Sequence, residues 1–321
     1  MESDPTKPES GDVSDAAGFD MTWGGQLSFG RRPATRNLDG VDLAIVGVPF
    51  DNAVTNRPGA RFGPRAIREA STLSSEFPDG LWPWTWNVFE RHRTIDYFDI
   101  AYHPGIPSEM AQNVRDHIGR LLDAGVNVVA LGGDHVISYP LLQATSQRYG
   151  TLSLIHFDAH SDTWDAGEEL NHGTMFLRAA REGLIDPTTS VQVGLRTPND
   201  THGFNVIGAD RFFELGVDAT IAEVRAIVGA RPCYLTVDID FLDPAYAPGT
   251  GTPVVGGATT WQARQLLMGL AGLDIVGTDL VEVAPAYDPT GQITALAGAT
   301  LAHDELYLLG IARDRRAGII R

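Results

Sequence analysis

The sequence predicts a three-layer α/β/α fold in which helices cover both faces of a mainly parallel sheet. Short apolar runs alternate with helix-like segments along most of the 321 residues, which is the pattern of βαβ units. The first run, residues 43–48, is continuously apolar, as expected of a strand buried on both faces of a parallel sheet. Neither a repeat nor a linker divides the chain beyond residue 40, so we expect one domain over residues 41–321 rather than two smaller ones.

The predicted elements follow one another in a regular order. Strands are expected at residues 43–48, 94–99, 126–131, 152–155, 191–195, 233–238 and 275–281. Helices are expected at residues 64–75, 108–124, 136–149, 175–182, 219–228, 260–271 and 293–311. Residues 1–40 are rich in Ser, Pro, Gly and Asp, which predicts an N-terminal extension that is mobile at its tip and contacts a neighbouring subunit further in. The closely spaced Trp82, Trp84 and Trp86 predict a rigid segment packed over the sheet edge or a pocket mouth.

The apolar run at residues 152–155 is followed by charged side chains at alternate positions. An extended backbone would direct Asp158, His160 and Asp162 to one face. Buried charges of this kind are costly unless a cation compensates them, so the pattern indicates a metal site. A polar turn after the strand is the alternative for this segment taken alone.

Two further strands end in residues that can bind metals. Asp238 and Asp240 follow the run 233–237, and His135 follows the run 126–131 and a Gly-Gly-Asp turn. Because the carboxyl ends of parallel strands meet at one edge of a sheet, we expect the three segments to form a single site there.

The charges of these segments favour two divalent ions over one. Their four aspartates carry four negative charges, which two divalent cations neutralise. Oxygen-rich ligation with two imidazoles favours two Mn²⁺ per subunit, although Ni²⁺, Co²⁺ or Zn²⁺ can occupy the same ligands. Two ions about 3.5–4 Å apart can activate a shared water at neutral pH.

Five motifs in this order resemble the ureohydrolases, the arginase and agmatinase family. They are GGDH (132–135), DAHSD (158–162), NHGTMF (171–176), DIDFLDPAYAPGTGTP (238–253) and EVAPAYD (282–288). The similarity runs from about residue 42 to the C-terminus and is closest to agmatinases. It implies an arginase-like sheet of about eight strands and a homo-oligomer, either a trimer or a hexamer.

The resemblance also implies how the two ions are shared among six ligands. One ion is expected on His135, Asp158, Asp162 and Asp238. The other is expected on Asp158, His160, Asp238 and Asp240.

Two catalytic residues are predicted beside the metals. Hydrolysis of a guanidinium needs a group that protonates the departing amine, and His172 matches the family's proton-shuttling histidine. A carboxylate can hold the planar guanidinium with paired hydrogen bonds, and Glu282 matches the glutamate that the family uses in this way. Asp134 and Asp279 are expected to orient other residues rather than to bind metal directly.

The predicted substrate is a small cationic guanidino compound, with agmatine as the first choice. The loop that begins at Trp164 carries Asp165, Glu168 and Glu169 on the way to His172. Such a loop would favour the ammonium end of agmatine and repel the carboxylate of guanidinobutanoate or guanidinopropanoate. We expect Trp164 to contact the substrate, while an exposed loop without a binding role is the alternative. Arg57 and Arg61 in the 51–63 loop are expected to bind loop carbonyls or a subunit contact rather than an anionic substrate group.

Composition restricts the partners and the compartment. A net charge of −17 argues against nucleic acid and anionic membranes, because both require a basic protein face. A single cysteine, Cys233, excludes an intrachain disulfide and fits a reducing compartment. With neither a signal peptide nor a membrane span in the sequence, we expect a cytoplasmic enzyme.

Two alternatives to a ureohydrolase stay open at this point. A deacetylase of a related fold also uses an Asp-x-His sequence, but it would bind one Zn²⁺ with fewer carboxylates. A catalytically silent metal-binding homologue is the second alternative, and the intact set of ligands argues against it.

Overall fold

In the computed structural model, residues 24–77, 80–198 and 200–320 are described. They contain one eight-stranded sheet of order β2-β1-β3-β8-β7-β4-β5-β6, and every pair of neighbouring strands is parallel. The strands are β1 (Leu43–Val48), β2 (Thr94–Asp99), β3 (Asn127–Gly132), β4 (Ser153–Phe157), β5 (Val191–Val193), β6 (Asn205–Ile207), β7 (Cys233–Asp238) and β8 (Ile275–Val281). The helices are α1 (Gly63–Ser71), α2 (Val88–Arg91), α3 (Pro107–Asp123), α4 (Ser138–Tyr149), α5 (Met175–Arg181), α6 (Ala209–Val228), α7 (Thr260–Gly269) and α8 (Ile293–Arg316).

The sheet separates two hydrophobic cores. Strand residues alternate between them: in β1, Leu43 and Ile45 belong to one core, while Ala44 and Val46 belong to the other. Helices α1, α6, α7 and α8 close the first core, and α3, α4 and α5 close the second. Because both faces of each central strand are buried, continuous apolar runs are what these strands require. The predicted three-layer fold with a parallel sheet of about eight strands is therefore confirmed.

Three observed elements differ from the sequence prediction. β6 was not predicted, because it has only three residues and two of them are only partly buried. The predicted helix 219–228 is the second part of α6, which begins at Ala209 and changes direction at Gly216, a residue with φ +75°. The short α2, whose N-terminus is capped by the Asn87 side chain, was also not predicted.

The tryptophan-rich segment packs on α8 rather than over the metal-binding edge. Trp84 stacks on Tyr307 with ring centroids 4.4 Å apart, and its indole N–H donates to Asp304 at 2.8 Å. Trp86 meets the same Tyr307 ring edge-on at 4.7 Å. Trp82 is 67% exposed and stacks on Trp261 of α7.

The described part of the predicted N-terminal extension packs on strand β2. Phe29 is fully buried, and its backbone N–H donates to the Asp96 carboxylate in β2 at 2.8 Å. Ala34 forms a parallel bridge with the same residue. The predicted mobile tip, residues 1–23, lies outside the described residues, and the domain boundary at residue 41 stays a prediction. Within the described ranges, none of the helices is long and apolar enough to cross a membrane.

Candidate active site

The predicted site residues follow the four central strands of the sheet. β3, β8, β7 and β4 are consecutive neighbours, and their carboxyl ends lead into His135, Glu282, Asp238 and Asp158. The sheet order therefore brings together segments that are more than 100 residues apart in sequence, such as His135 and Asp238. This edge is where open α/β folds place their binding sites.

His135 directs one ring nitrogen at three carboxylates. Its Nδ1 lies 3.2 Å from Asp158 Oδ2, 2.9 Å from Asp162 Oδ2 and 3.3 Å from Asp238 Oδ2. Its Nε2 lies 2.7 Å from the hydroxyl of Thr236, which donates its own proton to Asp279. Nε2 therefore carries the proton and donates a hydrogen bond to the Thr236 hydroxyl. In the neutral ring, Nδ1 then presents a lone pair to the three carboxylates. An arrangement of four electron-rich groups around one point needs a cation or a proton at its centre.

A second cluster shares Asp158 with the first. His160 Nδ1 lies 3.4 Å from Asp158 Oδ1 and 3.1 Å from Asp240 Oδ2. Asp158, His160 and Asp240 each offer one ligand atom within 4.8 Å of the others, as do Asp158, His135, His156 and Asp162. The structure thus brings all six predicted ligands together as two adjoining groups.

The backbone that carries these ligands is not the extended strand that the sequence predicted. β4 ends at Phe157, and residues 158–162 form a bent segment in which Asp162 has φ +53°. Asp158 Oδ1 accepts the backbone N–H of His160 at 2.6 Å, which closes the turn. The ligands therefore converge through a turn rather than through strand alternation.

The unpaired charges of the cluster strongly perturb its pKa values. Burial raises the pKa of Asp238 well above its usual value, and the charges of Asp240 and Asp158 add to this effect. Burial and the charge of Asp158 raise the pKa of Asp240 to about 6. Burial lowers the pKa of His160, but hydrogen bonds to Asp158 and Asp240 more than reverse this and raise it to about 12. These shifts arise because several carboxylates and imidazoles are buried close together.

His156 was missed by the sequence analysis. It lies inside the buried strand β4, two residues before Asp158, where the sequence gives no signal that distinguishes it from a core residue. The Gln192 amide donates to its Nδ1 at 3.0 Å, so the proton sits on Nε2, which lies 2.7 Å from Asp158 Oδ2. Both ring nitrogens are thus engaged, and His156 orients the Asp158 carboxylate as a hydrogen-bond donor rather than as a ligand.

Asp134 and Asp279 lie behind the cluster. Asp279 accepts hydrogen bonds from Thr236, Ser138 and Tyr234, and through Thr236 it fixes the ring of His135. Asp134 accepts the backbone N–H of Ala53 at 2.8 Å and thereby holds the 51–59 loop at the site. Both contacts are those expected of orienting residues.

His172 and Glu282 form a buried pair beside the cluster. His172 Nδ1 lies 2.9 Å from Glu282 Oε1, which also accepts the backbone N–H of His135 at 2.9 Å. Glu282 Oε2 is buried and has no hydrogen-bond partner among the residues that the structure describes. Burial lowers the pKa of His172, but the hydrogen bond and charge of Glu282 raise it overall to about 9.

Trp164 lies next to His172 and is 44% exposed. Its backbone N–H donates to the Gly173 carbonyl at 2.9 Å, and a Cβ at Gly173 would come within 3.0 Å of its indole ring. Two acids of the same loop already have partners in this chain: Asp165 pairs with Arg181 at 2.7 Å, and Glu169 accepts the Asn171 amide at 2.7 Å. Because these two acids already bind other side chains, we expect the loop to attract a cationic substrate less strongly than its composition predicted.

The arginines near the site bind the protein itself. Arg57 donates to the carbonyls of Thr250 and Gly251 at 2.9 and 3.1 Å and stacks on Tyr287, while Arg61 pairs with Asp51. These contacts are the structural ones that the sequence analysis expected. Arg196 was not predicted: its guanidinium donates to carbonyls at Asp240, Leu242 and Val254, and so fixes the segment that carries the metal ligands.

The donor set fits divalent metal ions. Four carboxylates and two imidazoles converge, and the His135 Nδ1 lone pair has no hydrogen-bond partner within the described ranges although three carboxylates surround it. Such a set of oxygen and imidazole donors suits Mn²⁺ and neighbouring first-row ions. The single thiol, Cys233, is buried in β7, where burial raises its pKa, so it belongs to the core rather than to the site.

Comparison with known proteins gives matches over nearly the whole chain. A family model described as the arginase family matches residues 41–307. An agmatinase from Chromobacterium violaceum is 49% identical over 295 residues, which cover 91% of this chain and 91% of that protein. An agmatinase from Proteus mirabilis is 50% identical over 268 residues, which cover 83% of this chain and 87% of that protein.

Two solved structures also match this chain over most of its length. The crystal structure of a hypothetical agmatinase from Burkholderia thailandensis has a TM-score of 0.88 and 50% identity, covering 93% of this chain and 94% of that one. Proclavaminate amidino hydrolase from Streptomyces clavuligerus has a TM-score of 0.86 and 36% identity, covering 91% of this chain and 100% of that one. The residues matched by the family model include the eight strands described above and every residue of the cluster at their carboxyl ends.

Proposed function

The chain belongs to the arginase family, and from this premise we propose that it hydrolyses the guanidinium group of agmatine to give putrescine and urea. Its curated relatives named agmatinase are about 50% identical to it over most of their length. A hydrolase of this kind acts on linear amidines, and its substrate is a small guanidino compound.

The observation that carries this proposal is the unsatisfied oxygen of Glu282. Glu282 Oε2 is buried and lacks a hydrogen-bond partner in the part of the chain that the structure describes, whereas Oε1 is held by His172 and by the backbone of His135. A buried carboxylate oxygen without a donor is costly unless a ligand supplies one. A guanidinium offers planar N–H groups that match a carboxylate, and binding there places its carbon beside the metal ligands.

The six ligands are proposed to hold two divalent ions. His135, Asp158, Asp162 and Asp238 would hold one ion, and Asp158, His160, Asp238 and Asp240 the other. Two such ions supply Lewis acidity and an activated water at neutral pH. Thr236 and His156 keep His135 and Asp158 in the orientations that this ligation needs.

His172 is proposed to carry the proton that the departing amine requires. Its Nδ1–H is directed at Glu282 Oε1, so the two residues hold each other in position beside the substrate guanidinium. The raised pKa of His172, about 9, keeps a proton available on the imidazole near neutral pH. Trp164 is proposed to line the entrance next to them.

Three arginines near the site already bind other groups of this chain, which supports agmatine rather than a guanidino acid as the substrate. Arg57, Arg61 and Arg196 are each bound to carbonyls or a carboxylate of this chain. A substrate carboxylate near the site would therefore lack a free guanidinium among these three residues. Guanidinobutanoate and guanidinopropanoate are the second candidates, because Asp165, one of the loop acids that would repel them, is neutralised by Arg181.

The proposal includes the metal, the assembly and the location. We propose Mn²⁺ as the bound ion, with Ni²⁺, Co²⁺ and Zn²⁺ as competitors. We propose a cytoplasmic homo-oligomer, a trimer or hexamer, that supplies putrescine for polyamine biosynthesis. Support for assembly comes from an exposed apolar patch around Trp82, Trp261, Ile293 and Leu296, which are between 39% and 67% exposed. Light scattering of the purified protein tests the assembly directly.

A turnover screen tests the proposed activity. Mn²⁺-loaded protein is assayed for urea release from agmatine, arginine, guanidinobutanoate and guanidinopropanoate, and metal content is measured on the same samples. We expect agmatine to be the best substrate, with about two metal ions per chain. The variant Glu282→Gln should retain the metal but lose about 100-fold or more in kcat/KM, because the carboxylate that positions the guanidinium is gone.

The same screen can contradict each part of the proposal. Faster turnover of a guanidino acid than of agmatine would show that the guanidino acid is the substrate. Two bound metals without urea from any guanidino compound would favour a silent homologue. One Zn²⁺ per chain would favour a deacetylase.

A further inference from the structure

His172 is held at both ring nitrogens, and its second contact comes from the 51–59 loop. Nε2 lies 2.9 Å from the backbone nitrogen of Thr55 and 2.7 Å from the Thr55 hydroxyl. A backbone N–H can only donate, so Nε2 accepts a hydrogen bond when the ring is neutral. The proton of the neutral ring is therefore on Nδ1, which faces Glu282.

Two further bonds place Thr55 at this position. The backbone N–H of His172 donates to the Ala53 carbonyl at 3.2 Å, and the N–H of Ala53 donates to Asp134 at 2.8 Å. The histidine and the loop are thus joined by paired contacts, one through the backbone and one through the ring. Thr55 itself is exposed, whereas His172 is only 8% exposed.

We propose that Thr55 is a positioning residue that sets the tautomer of His172 and gives its Nε2 a hydrogen-bond partner in both protonation states. The inference rests on the proposed role of His172 in the reaction. When the ring is neutral, Nε2 accepts from Thr55. When the ring is protonated, Nε2 becomes a donor, and the hydroxyl oxygen at 2.7 Å can turn to accept its proton.

The hydroxyl of Thr55 matters because the backbone N–H of the same residue disfavours protonation of His172 at Nε2. The charges of Glu282, Asp162 and Asp134 favour the imidazolium, and after the opposing effect of burial they raise the pKa of His172 to about 9. A protonated Nε2 that faces only a backbone N–H would place two donors against each other. The Thr55 hydroxyl, 2.7 Å from Nε2, offers the Nε2 proton an acceptor and so offsets the opposition of the backbone N–H.

The variant Thr55→Val removes the hydroxyl and keeps the backbone N–H and the branched side chain. We expect the pH midpoint of His172 titration to fall by about one unit, because the imidazolium loses the hydrogen-bond acceptor for its Nε2 proton. We expect kcat for urea release to fall about 10-fold or more with KM within about twofold, because the proton carrier is affected and the guanidinium contact is not. Thr55→Ser should recover most of both quantities.

The titration is measured without turnover. Metal-free protein with ¹⁵N-labelled histidine is titrated by long-range ¹H–¹⁵N NMR, and the His172 signals are assigned with His172→Gln. In wild type at high pH, we expect the protonated nitrogen to be Nδ1. The matched control is Thr151→Val, which removes an exposed hydroxyl that donates to the Gly183 carbonyl at 3.0 Å, far from the site. It should leave titration and kcat unchanged.

Two results would overturn the inference. One is an unchanged His172 midpoint and kcat in Thr55→Val. The other is an equal loss of activity in Thr55→Ser and Thr55→Val, because then the hydroxyl is not the cause. Since the NMR arm needs neither metal nor substrate, a wild-type protein that releases no urea would refute the proposed function while the contact between Thr55 and His172 is still tested.

Discussion

Two site residues, Asp162 and Glu282, have positive φ values of +53° and +65°. Residues with side chains rarely adopt this backbone conformation, and each instance costs about 1–3 kcal/mol unless the surroundings fix it. Asp162 is fixed by the turn after β4, where its carbonyl accepts the backbone N–H of Phe176 at 3.1 Å. Glu282 is fixed where β8 ends, since its own N–H donates to the Gly133 carbonyl at 2.9 Å. The conformation turns both carboxylates into the site.

His303 in α8 is a buried imidazole that the proposed reaction does not use. It is 2% exposed, lies among the rings of Phe29, Phe89 and Tyr307, and neither nitrogen has a hydrogen-bond partner among the described residues. Burial, assisted by the charges of Arg264 and Arg32, lowers its pKa to about 3. In the unfolded chain a histidine titrates near pH 6.5.

This difference predicts a loss of stability on acidification. Between about pH 6.5 and pH 3 the unfolded chain binds a proton at His303 that the folded protein does not, so the free energy of unfolding decreases as the pH falls. His303→Phe removes this effect and should reduce the loss between pH 7 and pH 5.5 by about 1 kcal/mol. Urea unfolding of the metal-free proteins at both pH values measures it. An identical pH dependence in the variant would contradict the buried neutral state of His303.

At the residue scale, the sequence could predict which side chains converge at the site but not all of the residues that hold them in place. Asp158, His160 and Asp162 were recognisable because charges directly after an apolar run have no packing explanation. His156 was not, since within the strand a histidine is indistinguishable from a core residue until Gln192 and Asp158 are seen on either side of it. Arg196 was missed because its partners are carbonyls, which sequence does not reveal.

At the scale of elements, α7 and α8 are joined by a buried ion pair. Arg264 donates to Asp304 through Nε at 2.7 Å and through Nη2 at 2.8 Å, and the Trp84 indole donates to the same carboxylate at 2.8 Å. Asp304 is fully buried and Arg264 nearly so. The carboxylate thus connects both helices with the tryptophan-rich segment, which explains why this segment lies on α8.

Removing the carboxylate should be strongly destabilising. Asp304→Ala leaves the Arg264 guanidinium buried without a counter-charge, and we expect the free energy of unfolding to fall by about 3–5 kcal/mol. Urea unfolding measures the change. The control is Glu223→Ala, which breaks the exposed pair of Glu223 with Arg211 at 2.8 Å and should cost less than about 1 kcal/mol. Equal effects of the two substitutions would show that burial of the pair does not matter.

Whether a strand could be predicted from the sequence depended on how completely its residues are buried. Strands such as β1, β7 and β8 were predicted well because every residue in them is buried, so their apolar runs are continuous. β6 lies at the sheet edge with two half-buried residues and leaves no such signal. The order of the strands could not be read from periodicity and was not predicted; the resemblance to the ureohydrolases implied only the number of strands.

At the scale of the whole molecule, the site places four aspartates among the buried ends of the central strands. Asp158, Asp162, Asp238 and Asp240 are each at most 6% exposed. Without metal, their mutual repulsion and desolvation oppose folding, whereas ions that bind only the folded state stabilise it by mass action. Because the ligands follow β3, β4 and β7, bound ions would connect the segments after these strands.

This arrangement predicts opposite effects of one substitution with and without metal. Mn²⁺ at about 100 times its Kd should stabilise wild type by about 2.7 kcal/mol for each bound ion, or about 5.4 kcal/mol for two, which raises Tm by about 8 °C. Asp238→Asn should abolish this rise, yet its metal-free form should melt at or above metal-free wild type, because Asn avoids the free-energy cost of burying or protonating one of four clustered carboxyl groups. Calorimetry with and without chelator, combined with metal analysis, measures both effects. The control is Asp218→Asn on the exposed face of α6, which should behave as wild type. If Asp238→Asn retained its full metal content and its Mn²⁺-dependent rise in Tm, Asp238 would not be a shared ligand and the assignment of two ions to six residues would fail.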